Sequence, residues 1–127
     1  MIVVDASAAI AALLGTGPAR TALSMEQIHA PHVIDAEVAS GLRRRVLASQ
    51  LNANDGWRAL DTWRRLGMTR YPVFSVLDRV WSLRNSLSAY DATYVALAES
   101  LDCALVTADK RLARAPGTRC PVTVVPR

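Results

Sequence analysis

The chain has 127 residues, with 15 Lys and Arg against 11 Asp and Glu, a formal net charge of +4 and 51% hydrophobic residues. One domain spanning 1–127 is expected, with enough apolar material for a real core, which excludes disorder as the main state. The longest apolar run, 8–14, falls far short of the roughly 20 residues a membrane span needs, and no Lys or Arg precedes it, so neither a membrane helix nor a signal peptide is expected.

Taken in chain order, 1–5 is a β-branched run ending in a carboxylate and predicts a buried first strand. Residues 6–14 are rich in Ala and Leu and predict a helix that stops at Gly15 and Gly17, after which Pro18 starts a short second helix to about Ser24. A short strand is expected at 27–30. The following helix carries Ile34, Val38, Leu42 and Val46 at i+4 spacing, with Arg43, Arg44 and Arg45 near its far end. A turn at 51–54 precedes a helix capped by Asn54 or Asp55, whose stripe is Trp57, Leu60, Trp63 and Leu66. A weak strand is expected at 71–74, helices at about 76–85 and 89–100, and strands at 103–107 and 122–125. Short apolar strands alternating with helices, without hairpin turns, predict an α/β fold: a parallel sheet covered on both faces.

In such a sheet, ligands bind beyond the carboxyl ends of the strands, where the strand order reverses. Asp5 ends the first strand and Asp109 follows the strand at 103–107, although each equally fits a helix N-cap. Glu37 flanks the apolar stripe one turn into its helix, where an acid also favours the helix dipole; Asp35 competes with it, and periodicity does not choose between them. Asp91 lies in Ser88-Ala89-Tyr90-Asp91, which matches a capping box and does not exclude a second role. Of the 15 cations, 14 are Arg and only Lys110 is lysine. Arg binds phosphate bidentately, so the bias suits a nucleic-acid partner, although a GC-rich genome produces the same bias. Cys103 and Cys120 lack metal-type spacing and read as free thiols of a cytoplasmic protein.

Four segments in order carry a family resemblance: Val3-Val4-Asp5-Ala6-Ser7-Ala8, Pro31-His32-Val33-Ile34-Asp35-Ala36-Glu37-Val38, Tyr90-Asp91-Ala92-Thr93-Tyr94-Val95-Ala96-Leu97-Ala98-Glu99 and Leu105-Val106-Thr107-Ala108-Asp109. Together they resemble PIN-domain proteins of the VapC type, the toxins of bacterial toxin–antitoxin pairs. The resemblance implies a three-layer α/β/α sandwich with a short parallel central sheet. It also implies an endoribonuclease, dependent on Mg²⁺ or Mn²⁺, that cuts cellular RNA such as tRNA or rRNA. The family's acidic quartet falls on Asp5, Glu37, Asp91 and Asp109, which makes Asp35 a supporting residue. Ser7 and Thr107 fall where the family has hydroxyls that orient the acids. A homodimer and a cognate antitoxin are implied as partners. The sequence departs from some relatives after Asp109, where Arg111, Leu112, Ala113 and Arg114 stand in place of a further acid.

The chemistry accounts for the acids. Hard divalent cations take oxygen ligands, and four carboxylates gathered without a cation repel one another. Asp5 and Asp109 are the expected primary ligands, with Glu37 and Asp91 completing the set. No histidine is placed as a base, since His29 and His32 precede the third helix, and no cysteine has a triad partner. Arg84 and Lys110 lie near site acids in sequence and are the expected phosphate contacts. Arg43–Arg45 is a run more often found on a solvated face, and the Trp57/Trp63 stripe reads as core or as a groove for an antitoxin helix. Two other readings compete. A phosphohydrolase would need an Asp-x-Asp where Ser7 stands, and a catalytically silent RNA-binding scaffold would tolerate loss of an acid, whereas all four are present. Gathering four of the 11 acids at one site leaves 15 cations against 7 anions, or +8, over the rest of the chain.

Overall fold

The computed structural model describes residues 1–15 and 17–127. The strands are β1 (Ile2–Val4), β2 (Ile28–Pro31), β3 (Thr69–Tyr71), β4 (Ala104–Thr107) and β5 (Val122–Val124), and the helices are α1 (Ala6–Leu14), α2 (Pro18–Ser24), α3 (Ile34–Leu47), α4 (Ala53–Arg65), α5 (Leu77–Ser82), α6 (Ala89–Ser100) and α7 (Lys110–Arg114). The sheet is parallel throughout, in the order β3-β2-β1-β4-β5. Ile2 faces Ile28 on one side and Ala104 on the other, and Leu105 faces Val122. The central strands are apolar on both faces because both are covered: Val3, Val4 and Leu105 have no exposed surface.

The chain runs outward from β1 to β3, then crosses back over β2 and β1 to β4. Right-handed crossovers then put α1–α4 on one face of the sheet and α5–α6 on the other. The packing agrees, with α1 against α2, α3 and α4, and α6 against α5, β1, β2 and β4. This is the three-layer α/β/α arrangement. Its strand order reverses between β1 and β4, which sets the carboxyl ends of those two strands side by side.

Several elements differ from the sequence expectation. Helix α4 begins two residues early because Asn52, rather than Asn54 or Asp55, is the N-cap; its side chain accepts from the Asp55 N–H at 2.8 Å. The buried face of α4 is Gly56, Ala59 and Trp63. An i+3 series drifts around a helix of 3.6 residues per turn, so Trp57 and Leu66 at the ends of the expected stripe are exposed. The edge strand β3 lies at 69–71, ahead of the expected 71–74, and Phe74 begins a 3₁₀ turn, Phe74–Val76, with its ring exposed. The expected helix at 76–85 is confined to Leu77–Ser82.

Two contacts hold the layers in place around the strand ends. Asp35, in the first turn of α3, accepts from Arg70 Nε and Nη2 at 2.7 and 2.9 Å and from Trp63 Nε1 at 2.8 Å, tying α3 to α4 and β3. Helices α1 and α3 approach so closely at Gly41 that a Cβ there would lie 2.3 Å from Ile10 Cδ1. Replacing Gly41→Val is expected to destabilise the fold by about 1–3 kcal/mol through overpacking, more than the helix-propensity gain returns. Thermal denaturation checks this; an unchanged midpoint would show that the α1–α3 seam can open at no cost.

Candidate active site

The end of β1 is built around a buried carboxylate. Asp5 is 5% exposed and caps α1, its Oδ1 accepting from the Ala8 N–H at 3.0 Å and from Ser7 Oγ at 2.7 Å. Its Oδ2 accepts from Thr107 Oγ1 at the end of β4. Ser7 Oγ accepts in turn from the Ala108 N–H at 2.9 Å, and Thr107 Oγ1 from the Asp109 N–H at 3.0 Å. Asp109 caps α7 through the Arg111 N–H at 2.9 Å. The cap reading and the site reading of Asp5 and Asp109 are therefore compatible. The bonds that cap each helix also fix each carboxylate at the reversal point.

Asp5, Ser7 and Asp109 line one cleft of about 590 Å³ together with Glu37 from α3 and Asp91 and Tyr94 from α6. All four acids of the expected quartet reach this cleft, each from a different element. Glu37 accepts from the Tyr94 hydroxyl at 2.5 Å, which bridges the two helical layers over the strand ends. Ser88 is the N-cap of α6 and accepts from the Asp91 N–H at 3.2 Å. That is one half of a capping box, and it directs Asp91 without consuming its carboxylate in a backbone bond. Asp35 does not line the cleft, being occupied by Arg70 and Trp63.

The electrostatics divide the acids into two kinds. Burial pushes the Asp5 carboxyl above its usual range, against the pull of its Thr107, Ala8 and Ser7 bonds, and the charge of Asp109 adds to the rise. Burial also raises Glu37 and Asp91, reinforced by the charges of neighbouring site acids. Asp109 moves the other way, held down by the Arg111 guanidinium at 2.7 Å from its Oδ2, with Arg127 contributing. Burial and the Glu37 carboxylate push the Tyr94 hydroxyl far up, so it remains a donor.

The donor set suits a hard divalent cation, since it consists of carboxylate oxygens and nothing softer. A cation there would offset both the burial that raises three of the four groups and the mutual repulsion that adds to it. Among the described residues, no three His, Cys, Asp or Glu already stand close enough to grip one ion. Asp5, Glu37 and Asp109 are each tied to a hydroxyl or guanidinium neighbour. The acids share a cleft; they do not form a closed cage.

The cations differ from the sequence expectation. Arg84 stacks on Trp81, 4.9 Å from the ring centroid, and donates to the Trp81 carbonyl at 3.0 Å; it does not line the cleft. Lys110 lines a neighbouring groove instead. The cleft is rimmed by Arg44, Arg45 and Arg127, with Ser40 beside them. The basic run on α3 is therefore split by helical geometry: Arg44 and Arg45 turn toward the cleft, and Arg43 lines an apolar groove against α4. The available signal was spacing, because Ser40 and Arg44 follow Glu37 at i+3 and i+7, on one helical face. Nothing in the sequence marked Arg127 or the role of Tyr94. His29 bonds to the Tyr71 hydroxyl at 2.6 Å, and neither His29 nor His32 lines the cleft. Cys103 and Cys120 are free thiols, and burial pushes both up, away from the thiolate form.

Comparison with known proteins gives consistent results. The family model described as PIN domain matches residues 2–117. Ribonuclease VapC9 of Mycobacterium tuberculosis is 61% identical over 127 residues, covering 100% of both chains. Ribonuclease VapC1 of the same organism is 42% identical over 128 residues, covering 97% of this chain and 96% of its own. Among solved structures, VapBC2 from Rickettsia felis bound to a promoter DNA fragment aligns with a TM-score of 0.70 at 16% identity, over 98% of this chain and 99% of that one. VapC20 of Mycobacterium tuberculosis, described as a sarcin–ricin loop cleaving toxin, aligns with a TM-score of 0.67 at 16% identity, over 94% and 97%. The structural likenesses bear on the fold, and the full-length sequence identities bear on the family. The chain belongs to the PIN-domain family, among its VapC members.

Proposed function

We propose that this protein is a divalent-cation-dependent endoribonuclease of the cytoplasm, acting as the toxin of a toxin–antitoxin pair, with residues 1–127 working as one unit. The observation that carries the reading is the convergence of Asp5, Glu37, Asp91 and Asp109, from four elements, on one cleft rimmed by arginines. The ribonuclease names of the full-length relatives support it. No helix among the described residues is long and apolar enough to cross a membrane.

The cation is Mg²⁺ or Mn²⁺, held chiefly by Asp5 and Asp109, with Glu37 and Asp91 completing the set. When bound, such an ion supplies Lewis-acid stabilisation of phosphoryl oxygens and an acidified water. The chain's own residues supply position. Ser7 and Thr107 fix the two Asp5 oxygens, and Tyr94 fixes Glu37 by donating to Oε1. Asp91 and Glu37 are both raised by burial, and a positive charge between them would favour their ionised forms. Arg44, Arg45 and Arg127 hold the phosphodiester at the rim through charge-assisted bonds.

The partners are an RNA substrate of the tRNA or rRNA class, an antitoxin and a second copy of the chain. For the antitoxin we assign the apolar groove between α3 and α4, where the half-buried Val46 and Leu60 and the exposed Leu47 and Trp57 lie around Arg43, over the buried Leu42. For the second copy, Phe74, Leu77 and Trp81 offer an exposed apolar surface beside α5.

RNA cleavage with Mg²⁺ or Mn²⁺, against an EDTA blank, tests the function. Asp5→Ala and Asp91→Ala are expected to reduce it to background, and cleavage that survives both substitutions would sink the site. Tyr94→Phe removes one orienting bond, and Thr107→Val removes both the bond to Asp5 and the acceptor of the Asp109 N–H; each is expected to cost about 10–100-fold in activity, the second with some loss of stability. A further expectation follows from the raised Asp91 carboxyl. A carboxyl raised on folding favours the folded state below its ordinary range, and that contribution is lost as pH rises through the raised value. Asp91→Asn should therefore raise the metal-free melting temperature more at about pH 7.5 than at a pH below the ordinary carboxylate range, where the group is protonated in the folded and the unfolded chain alike. The same variant should lose the stabilisation that Mg²⁺ or Mn²⁺ gives the wild type. Equal midpoints at both pH values would contradict the repulsion described above.

A further inference from the structure

Beside the acidic cleft lies a second, larger groove of about 890 Å³, between α7 and the end of the chain. Its floor is apolar, made by Ala113, Val124, Val125 and Pro126, and its walls carry Lys110, Arg114 and Arg127. No Asp or Glu lines it. Arg127 lines both spaces, the groove and the acidic cleft. Its Nε donates to the Ala108 carbonyl at 3.4 Å, which places it over the turn between β4 and Asp109.

We propose that this groove is a second nucleotide subsite, holding the single-stranded stretch of substrate next to the phosphodiester at the acids, with Arg127 as the joint between the two spaces. The inference rests on the ribonuclease reading above and adds the path by which the strand leaves the cleft.

Three features select this occupant. A single strand alternates charged phosphates with flat, largely apolar bases and sugars, and sites for it pair a cationic track with apolar platforms. The groove has both, with all its ionisable side chains of one sign. It also shares Arg127 with the cleft, so a strand engaged at the acids meets the same guanidinium that lines the groove. Finally, Lys110 and Arg114 are exposed and make no ion pair among the described residues. By contrast, Arg64, Arg65, Arg70, Arg79 and Arg111 are each committed to an acid. A free cation keeps its full charge for an incoming phosphate.

The floor has no aromatic side chain, so base contact there is by apolar packing without stacking. The subsite is accordingly expected to add affinity with little preference for base identity.

The test uses the full chain carrying Asp91→Asn, so that RNA binds without being cut, and compares it with the same chain carrying Lys110→Gln and Arg114→Gln as well. Affinity for a labelled single-stranded uridine oligonucleotide of about 12 nucleotides is measured against salt. Two lost phosphate contacts should lower the magnitude of the salt slope by about 1.4 and weaken binding roughly 10–30-fold at low salt. In the otherwise wild-type protein, Lys110→Gln with Arg114→Gln should raise KM for the long oligonucleotide while kcat holds, and leave cleavage of a dinucleotide unchanged. Both positions are exposed, and an unshifted melting temperature shows that the fold is kept. Unchanged affinity and slope would overturn the subsite even if the wild type cleaves RNA. Unchanged RNA affinity with weakened binding of a poly-glutamate peptide would overturn it in favour of a protein partner. Failure of the wild type to cleave any RNA with Mg²⁺ or Mn²⁺ would instead overturn the ribonuclease reading on which it rests.

Discussion

The structure depends on one desolvated carboxylate. A charge buried to 5% exposure is costly unless its oxygens are bonded, and Asp5 is bonded from three directions. The donors come from two pieces of the fold: Ser7 and Ala8 from the first turn of α1, Thr107 from the end of β4. Ser7 and Thr107 then accept from the N–H groups of Ala108 and Asp109, so the network also sets the turn that leads into α7. The alignment of β1 with β4, the start of two helices and the position of two site acids are thereby one problem with one solution. What positions 7 and 107 must supply is a hydroxyl that can donate and accept at once, which Ser and Thr do and Ala and Val do not.

Charge is arranged by depth. Four acids face inward on the cleft, and cations occupy its rim and the adjacent groove. The modest overall excess of +4 thus conceals a basic exterior around a negative centre. Arg111 complicates that division, because its guanidinium lies on Asp109 and not at the rim. The pair keeps Asp109 ionised, and any cation entering there meets competition from a side chain two residues away. This contact is on the surface, with Arg111 85% exposed, so the competition is one that solvent and salt weaken.

The sequence made the central elements legible because they obey local rules. α1 ends at Gly15 and α6 begins after Ser88, as their capping residues indicate. The strand ends bearing Asp5 and Asp109 followed from β-branched runs and from the logic of parallel sheets. What could not be read depends on distant partners. Asp35 and Glu37 lie two residues apart in one helical turn, and spacing treats them nearly alike. Arg70 and Trp63, 35 and 28 residues away, are what withdraw Asp35 from the cleft. The same holds for Arg84, whose nearness to Asp91 along the chain did not bring it to the cleft, and for Lys110, which follows Asp109 directly but lines the neighbouring groove. Arg127 reaches the acids because β5 runs parallel to β4, a tertiary fact with no local signature.

The two outer strands, β3 and β5, have three residues each. A parallel sheet cannot close on itself in five strands, so its flanks carry backbone groups free to pair with another chain, and such flanks invite uncontrolled fibre-like stacking. Here each flank is too brief to template a ladder. One is weighted by the Arg70–Asp35 ion pair, and the other is followed, one residue beyond Val125, by Pro126, which has no N–H to give. A small, half-apolar protein with several exposed aromatic rings is thereby steered toward association through side-chain surfaces, which can be selective, and away from association through backbone, which is not.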